Sequence, residues 1–401
     1  MEEIISRKLS NGMKVFMEKR DLPVVVVSII NKFGAIYEKE EEKGFAHFIE
    51  HLLFTGTKTR SQEEIAKEVE KKGGIVNAFT DNEVTAYWFK LPSRYLIDGL
   101  NIITDMVKNP SFDKEKFEKE KKVIIEEIKM YHDNPRGDLT ENKLYQALFD
   151  KPFGFGILGK AENIMGAERD KIVKFYEKHY LQGEKFVVVV GNADFEQICE
   201  FFEKNFEKSE KGTSKPELKN KNGKIFEERA GIDQANFIVA MHAPRYDSEE
   251  YIALRVLDAY LAEGMSSKLW QEVREKRGLA YAIRSFAHAE EKYSYYGIYV
   301  GTTKDKIKEV EELIIGEFKK ISEIKEKDLG EAKQQLIGLR EVSSEESSTV
   351  METLVMHLSS GAEFESYYEF KERVKKVALE EVKSIAKKLI SEYSTAAIVP
   401  K

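Results

Sequence analysis

The chain has 401 residues, of which 34% are charged, and its formal net charge at pH 7 is -7. That length exceeds one ordinary hydrophobic core and points to two or more domains, and the acidic balance with interspersed signs leaves no basic face for nucleic acid. A single cysteine, Cys199, excludes an internal disulfide framework and cysteine-based structural zinc sites, and it fits a reducing compartment.

The N-terminal stretch MEEIISRKLSNGMKVF has no basic region followed by an apolar run, and no segment of the chain is apolar over the roughly 20 residues a bilayer requires. The expectation is a soluble, cytoplasmic protein with no membrane partner. A turn at Asn11-Gly12 precedes the strand MKVFME, and the β-branched run from Val24 to Phe33 forms a second strand. Next comes GFAHFIEHLLFTG, Gly44 to Gly56, a helix that is apolar nearly all round except for one arc holding His47, Glu50 and His51. GGIVNAFTDNEVTAYWFKLP reads as a hairpin, two long helical stretches run from about Arg94 to Leu148, and EKFVVVVGNA closes the first half with a strand. KSEKGTSKPELKNKNG, Lys208 to Gly223, is charged and contains Gly, Pro and Ser, the composition of a linker. The second half repeats the plan: GKIFEERAG, the strand ANFIVAMHAP, a helix from Ser248 through Arg277, paired strands AYAIRSFAHA and YSYYGIYVGTT, long helices from Lys304 to about Ser360, and a last strand TAAIVP. This order of elements is an internal repeat. It implies an α+β fold of two tandem, similar units, 1–207 and 224–401, joined by the linker 208–223, each an antiparallel-rich sheet with helices packed on it.

The three polar groups of the Gly44–Gly56 helix need a purpose, because burying them unpaired is costly. His47-Phe48-Ile49-Glu50-His51 is the inverted zinc-protease pattern H-x-x-E-H. Histidines one helical turn apart can place imidazole nitrogens about 2.0–2.1 Å from one zinc ion, and the glutamate between them is placed to act as a base on water there. A motif this short leaves a second reading open, histidines hydrogen-bonded in a core. A third ligand is on offer in FEKEKKVIIEEIKMYHD, Phe117 to Asp133, where Phe117, Glu120, Ile124, Glu127, Ile128 and Tyr131 share one helical face and Glu126 points roughly opposite. Carboxylates on an apolar face are paired or bound to a cation. Glu120 and Glu127 therefore either join a metal site or pair with lysine or arginine from elsewhere. The corresponding helix of the second half, YIALRVLDAYLAEG, has no such motif, so the chemistry belongs to the first copy. The remaining histidines, His132, His179, His242, His288 and His357, stand singly and read as structural or exposed.

His47, Glu50 and His51, followed by EKKVIIEEI, resemble the M16 metallopeptidases, the group of insulin-degrading enzyme, pitrilysin and the mitochondrial processing peptidase. The resemblance covers essentially the whole chain, repeat included, and is to the short bacterial or archaeal type with one active and one inactive unit, a LuxS- and processing-peptidase-like metallohydrolase fold. It implies a zinc-dependent endopeptidase that binds one Zn2+ per chain through His47, His51 and Glu127, with Glu50 as general base and Glu120 as a supporting residue that orients a ligand. It implies further that Asn77, Ala78 and Phe79 lie on an edge strand that pairs with bound peptide, and that Arg274 and Tyr281, in SSKLWQEVREKRGLAYAI, contact substrate from the inactive unit. Family members close two active-plus-inactive pairs around their substrate, so the expected assembly is a homodimer enclosing peptides or unfolded segments in a chamber. Two other classes stay open at this point. A catalytically inactive assembly subunit is expected to have lost a ligand or Glu50, and a peptide-binding protein with a structural metal normally supplies four protein ligands.

Overall fold

A computed structural model of the chain describes residues 3–150, 153, 154, 156–209 and 217–401. Two compact units make it up, and neither is contiguous in sequence: residues 3–129, 157–209 and 344–359 form the first, and the other described residues form the second. The first unit holds a six-stranded sheet of β1 (Glu3–Lys8), β2 (Lys14–Lys19), β3 (Val24–Asn31), β4 (Ile75–Thr80), β5 (Thr85–Pro92) and β6 (Lys185–Gly191), in the order β1-β2-β6-β3-β5-β4. In the second, β7 (Lys224–Arg229), β8 (Ala235–His242), β9 (Ala282–Ala289), β10 (Ser294–Thr302) and β11 (Ser394–Pro400) lie in the order β7-β11-β8-β10-β9. Without β1 the two orders are the same. The directions agree as well: β2 with β6 and β7 with β11 are parallel, and every other neighbouring pair is antiparallel. The repeat is therefore a repeat of sheet topology, and the fold is α+β.

The central strands explain why the units exchange segments. β6 is buried along its whole length and β3 nearly so, so both faces of the sheet need cover. Val187 and Val189 face the core that also holds the histidine helix, and by alternation Val188 and Val190, equally buried, face the other way. That second face is covered by the helix Ser347–Ser359, which contacts β3 and β6 and buries Val350, Met351, Leu354 and Val355. In the second unit the short helix Leu144–Leu148 lies against β8 and β11 in the same manner.

The contiguous division 1–207, 208–223 and 224–401 is corrected accordingly: 130–156 belongs with the second unit and 344–359 with the first. Part of the expected linker, 210–216, lies outside the described residues. Its end is no free tether, because Lys219 O, Lys221 N and Gly223 N bond to Asp150 N, Leu148 O and Ala147 O, which satisfies backbone groups that would otherwise lie unpaired against protein. The single helix expected from Ser248 through Arg277 is also interrupted. It runs Glu249–Leu261, stops where Ala262 N and Glu263 N both bond to Asp258 O, passes Gly264 at φ 82°, and resumes in a π-helical turn, Trp270–Glu275; a glycine in the left-handed region is a usual helix stop. Among the described residues no helix is long and apolar enough to cross a membrane.

Candidate metal centre

Helix α1 (Phe45–Phe54) carries the H-x-x-E-H residues and buries Phe45, Ala46, Phe48, Ile49, Leu52 and Leu53 around them. Its N-terminus is held from outside the helix. Gly44, at φ 103°, offers no side-chain cap, and the carboxylate of Glu38 instead accepts hydrogen bonds from Gly44 N at 3.0 Å and Ala46 N at 2.6 Å. An acceptor there satisfies amides that α1 cannot bond internally and lies at the positive end of the helix dipole. Gly44 has no room for a Cβ, which would come within 2.8 Å of Leu158 O. Glu38 is 2% exposed; burial pushes its pKa up to about 7, against the opposing pull of Lys43 and the two amides.

The carboxylates come from α4, the next long helix but two (α2, Gln62–Glu70; α3, Leu96–Lys108; α4, Lys114–Asp133). The helical phase read from the sequence holds: Phe117 and Ile124 are buried, Glu120 and Glu127 are half-buried, and Glu126 is exposed beside Lys129. His47 Nε2 and His51 Nε2 lie 3.7 and 3.4 Å from Glu127 Oε2. One nitrogen of each histidine and one oxygen of Glu127 all fall within 4.8 Å of one another. On its other side His51 Nδ1 meets Glu120 Oε1 at 2.9 Å, the outer carboxylate that fixes an imidazole's orientation and tautomer. His47 Nδ1 is buried with no hydrogen-bond partner. Among the described residues neither Glu120 nor Glu127 meets a lysine or arginine, so both carboxylates face imidazoles. Two imidazole nitrogens and one carboxylate oxygen converging on one point are a donor set that fits zinc.

The electrostatics separate the two histidines. Burial, reinforced by the neighbouring His51, pushes the pKa of His47 down to about 4. Burial acts on His51 in the same direction but is outweighed by its bonds to Glu120 and Glu127, and its pKa rises to about 9. Glu127 is held below the usual carboxylate range, first by its hydrogen bond with His51. Without metal His51 thus carries the site's proton, which ligation must displace. Glu50 is half-buried, and burial raises its pKa, with a bond from Thr80 opposing. That bond, Thr80 Oγ1 donating to Glu50 Oε2 at 2.6 Å, ties α1 to the end of β4.

β4 is the edge of its sheet. It pairs with β5 through Asn77 opposite Trp88, Ala78 opposite Tyr87 and Phe79 opposite Ala86, and among the described residues its other side carries no strand. Asn77 is exposed, Ala78 and Phe79 are half-buried, and Asn77 Oδ1 accepts from Ala78 N. Arg274 and Tyr281 belong to the second unit. Arg274 lies in the π-helical turn with its guanidinium 4.1 Å from the centre of the Trp270 ring, and Tyr281, 57% exposed, enters β9 with its amide bonded to Gly301 O. The other histidines are structural or exposed, but two do not stand singly: His132 Nδ1 lies 3.3 Å from Asp138 Oδ2 and His288 Nε2 lies 3.1 Å from Glu290 Oε1. Two contributors escaped the sequence. Glu38 sits in YEKEEEKG, a charge run that looks like a solvated face, and its only signal was its distance of a few residues before a helix that starts on glycine. Thr80 was visible as part of a strand but not as a partner of Glu50.

Residues 14–160 match the family model of the insulinase family, peptidase family M16, and residues 166–336 match the model of the peptidase M16 inactive domain. An uncharacterized zinc protease of Rickettsia felis is 30% identical over 398 residues, covering 98% of this chain and 96% of its own, and one of Rickettsia bellii is 31% identical over 399 residues with the same coverage. A similar protein of Bacillus subtilis, also described as an uncharacterized zinc protease, is 29% identical over 404 residues. In fold the chain is similar to the crystal structure of a protease from Helicobacter pylori, with a TM-score of 0.91 at 23% identity over the full length of both chains. The two matched regions follow one another along the chain, and the chain belongs to the M16 family of zinc proteases.

Proposed function

We propose that the chain is a zinc-dependent endopeptidase acting on extended peptides or unfolded segments. The observation that carries this reading is the convergence of His47 and His51, on the same arc of α1 as Glu50, with Glu127 of α4 within 4.8 Å, beside an open sheet edge. His47, His51 and Glu127 hold the zinc, and Glu120 keeps the His51 ring aimed inward from its Nδ1 side. When bound, the ion supplies Lewis acidity toward a substrate carbonyl and toward water. Glu50 takes a proton from the attacking water at its carboxylate and returns it to the leaving amine; its raised pKa moves it toward the range where one group can do both. Asn77, Ala78 and Phe79 lie on the unpaired edge of β4, where Asn77 Oδ1 holds the Ala78 amide at 2.9 Å, and adding substrate as a further strand there gives affinity that depends little on its sequence.

Glu50→Gln removes the base and no ligand. The variant is expected to bind one zinc per chain and to leave a quenched peptide uncut; substantial residual turnover removes Glu50 from the mechanism. The same assay on the wild type, with metal analysis, distinguishes an inactive assembly subunit or a structural-metal binder, neither of which cleaves.

The working form we propose is a homodimer enclosing the substrate in a chamber, in which Arg274 and Tyr281 of one protomer serve substrate bound at the zinc of its partner. The support is their place outside the unit that holds the metal centre. Mixing Glu50→Gln protein with Arg274→Ala protein under conditions of subunit exchange is then expected to return about a quarter of wild-type activity, since half the dimers are mixed and one of their two chambers is whole. No recovery, or a monomer by light scattering, overturns the assembly. A reducing compartment, the cytoplasm, suits the one buried thiol, Cys199.

A further inference from the structure

We infer that Thr80 is a positioning residue for Glu50, so that the strand proposed to dock the peptide also orients the base. The inference rests on the peptidase reading above and deepens it. The Thr80 hydroxyl donates to Glu50 Oε2 at 2.6 Å, a length typical of a charge-assisted O–H···O⁻ bond. Among the described residues Thr80 alone donates to the Glu50 side chain. A carboxylate on two rotatable bonds beyond Cβ has a broad terminal torsion. The hydroxyl, with the Thr80 backbone amide that also bonds to this carboxylate, removes much of that freedom. Thr80 is itself well held. It is the last residue of β4, it pairs with Thr85 across the hairpin, and the Thr85 hydroxyl donates to Phe33 O at 2.9 Å and meets Tyr180 Oη at 3.0 Å. Branching at Cβ restricts the Thr80 rotamer further. The free edge beside Asn77, Ala78 and Phe79 and the hydroxyl that fixes Glu50 are thus parts of one short strand. Substrate docking and base orientation share a single rigid element.

The experiment compares wild type, Thr80→Val, Thr80→Ser and Glu50→Gln with a quenched peptide, and measures zinc content, chelator-competition affinity for zinc, and thermal midpoint for each. Peptide affinity is measured separately on Glu50→Gln and on the Glu50→Gln/Thr80→Val double variant, where no turnover intervenes. Thr80→Val keeps the shape and loses the hydroxyl. Its expected signature is unchanged zinc affinity, KM within about twofold, kcat lower by roughly 10- to 100-fold, and equal peptide affinity in the two Glu50→Gln backgrounds. Thr80→Ser, which restores the donor, is expected to recover kcat to within a few-fold of wild type. The assignment is overturned if Thr80→Val keeps its kcat, if the loss falls on KM or on zinc, or if Thr80→Ser is as slow as Thr80→Val. A wild type that does not cleave overturns the peptidase reading and this assignment with it, whereas a wild type that cleaves beside an unimpaired Thr80→Val overturns this assignment alone.

Discussion

At the scale of single residues, the site turns on which of three glutamates on α4 faces α1. Glu127 Oε2 lies within 3.7 Å of both histidines, Glu120 reaches only the far nitrogen of His51, and Glu126 is a surface residue paired with Lys129. An exposed i,i+3 ion pair contributes little, so Glu126→Gln is expected to leave zinc affinity and stability unchanged. Glu120→Gln removes an outer partner, for which a loss of roughly 10- to 100-fold in metal affinity is typical. Glu127→Gln is expected to lose more than that, and chelator competition with a zinc-responsive dye orders the three. Equal effects at Glu126 and Glu127 would mean that α4 presents a different face. These residues were legible in the sequence because their signal is periodic: a helix places Phe117, Glu120, Ile124 and Glu127 on one side whatever the rest of the fold does. Glu38 and the Thr80–Glu50 bond were not, because a loop carboxylate and a strand hydroxyl reach α1 only through tertiary contacts, which no spacing encodes.

At the scale of the element, α1 is a short helix whose position depends on a cap it does not itself contain. Glu38 accepts from Gly44 N and Ala46 N, immediately before His47, so its ionisation bears on how firmly the first ligand is placed. Its folded pKa, raised to about 7 by burial, exceeds its value in an unfolded chain, so the folded state binds the proton more tightly. For a group shifted upward the contribution to stability is fully present below the unfolded pKa of 4.5 and is lost as pH rises through about 7. Glu38→Gln has no proton to lose. The expected outcome is that the stability of metal-free wild type, measured against that of the variant by urea unfolding, declines between about pH 4.5 and 7.5, by on the order of 3 kcal/mol at most. A difference that stays flat or grows with pH across this window contradicts the assignment. Metal-free protein is the right material, because zinc binding has a pH dependence of its own through His51.

At the scale of the whole molecule, the two units are one sheet plan used twice. The helix between β8 and β9 shows what the second copy has lost. Counting back from Gly56 and Gly264, both at positive φ, Arg255 stands where the first copy has His47, Asp258 where it has Glu50, and Ala259 where it has His51. Asp258 is buried and accepts from Tyr296 Oη at 2.7 Å, so a carboxylate stands there as a structural acceptor, with no metal-ligating set around it among the described residues. The repeat was legible in the order of strands and helices. The exchange of segments was not, because residues 344–359 continue a run of helices in sequence and only the two-sided burial of β3 and β6 shows where that last helix is needed. Exchange has a consequence for how the chain can be cut. Without Ser347–Ser359 the first sheet loses the cover of Val350, Met351, Leu354 and Val355, which are at most 2% exposed. At about 1.5–3 kcal/mol for each buried side chain, that loss is comparable to the roughly 5–15 kcal/mol by which a domain is stable. A fragment of residues 1–207, a self-contained unit by sequence alone, is therefore expected to melt broadly, to be cut quickly by protease within the sheet, and to bind zinc weakly. Co-expression with residues 208–401 supplies the missing helix and is expected to restore a cooperative melt and one bound zinc. A sharp thermal transition and stoichiometric zinc in the 1–207 fragment by itself would show that the helix is dispensable and that the first sheet holds its metal centre without it.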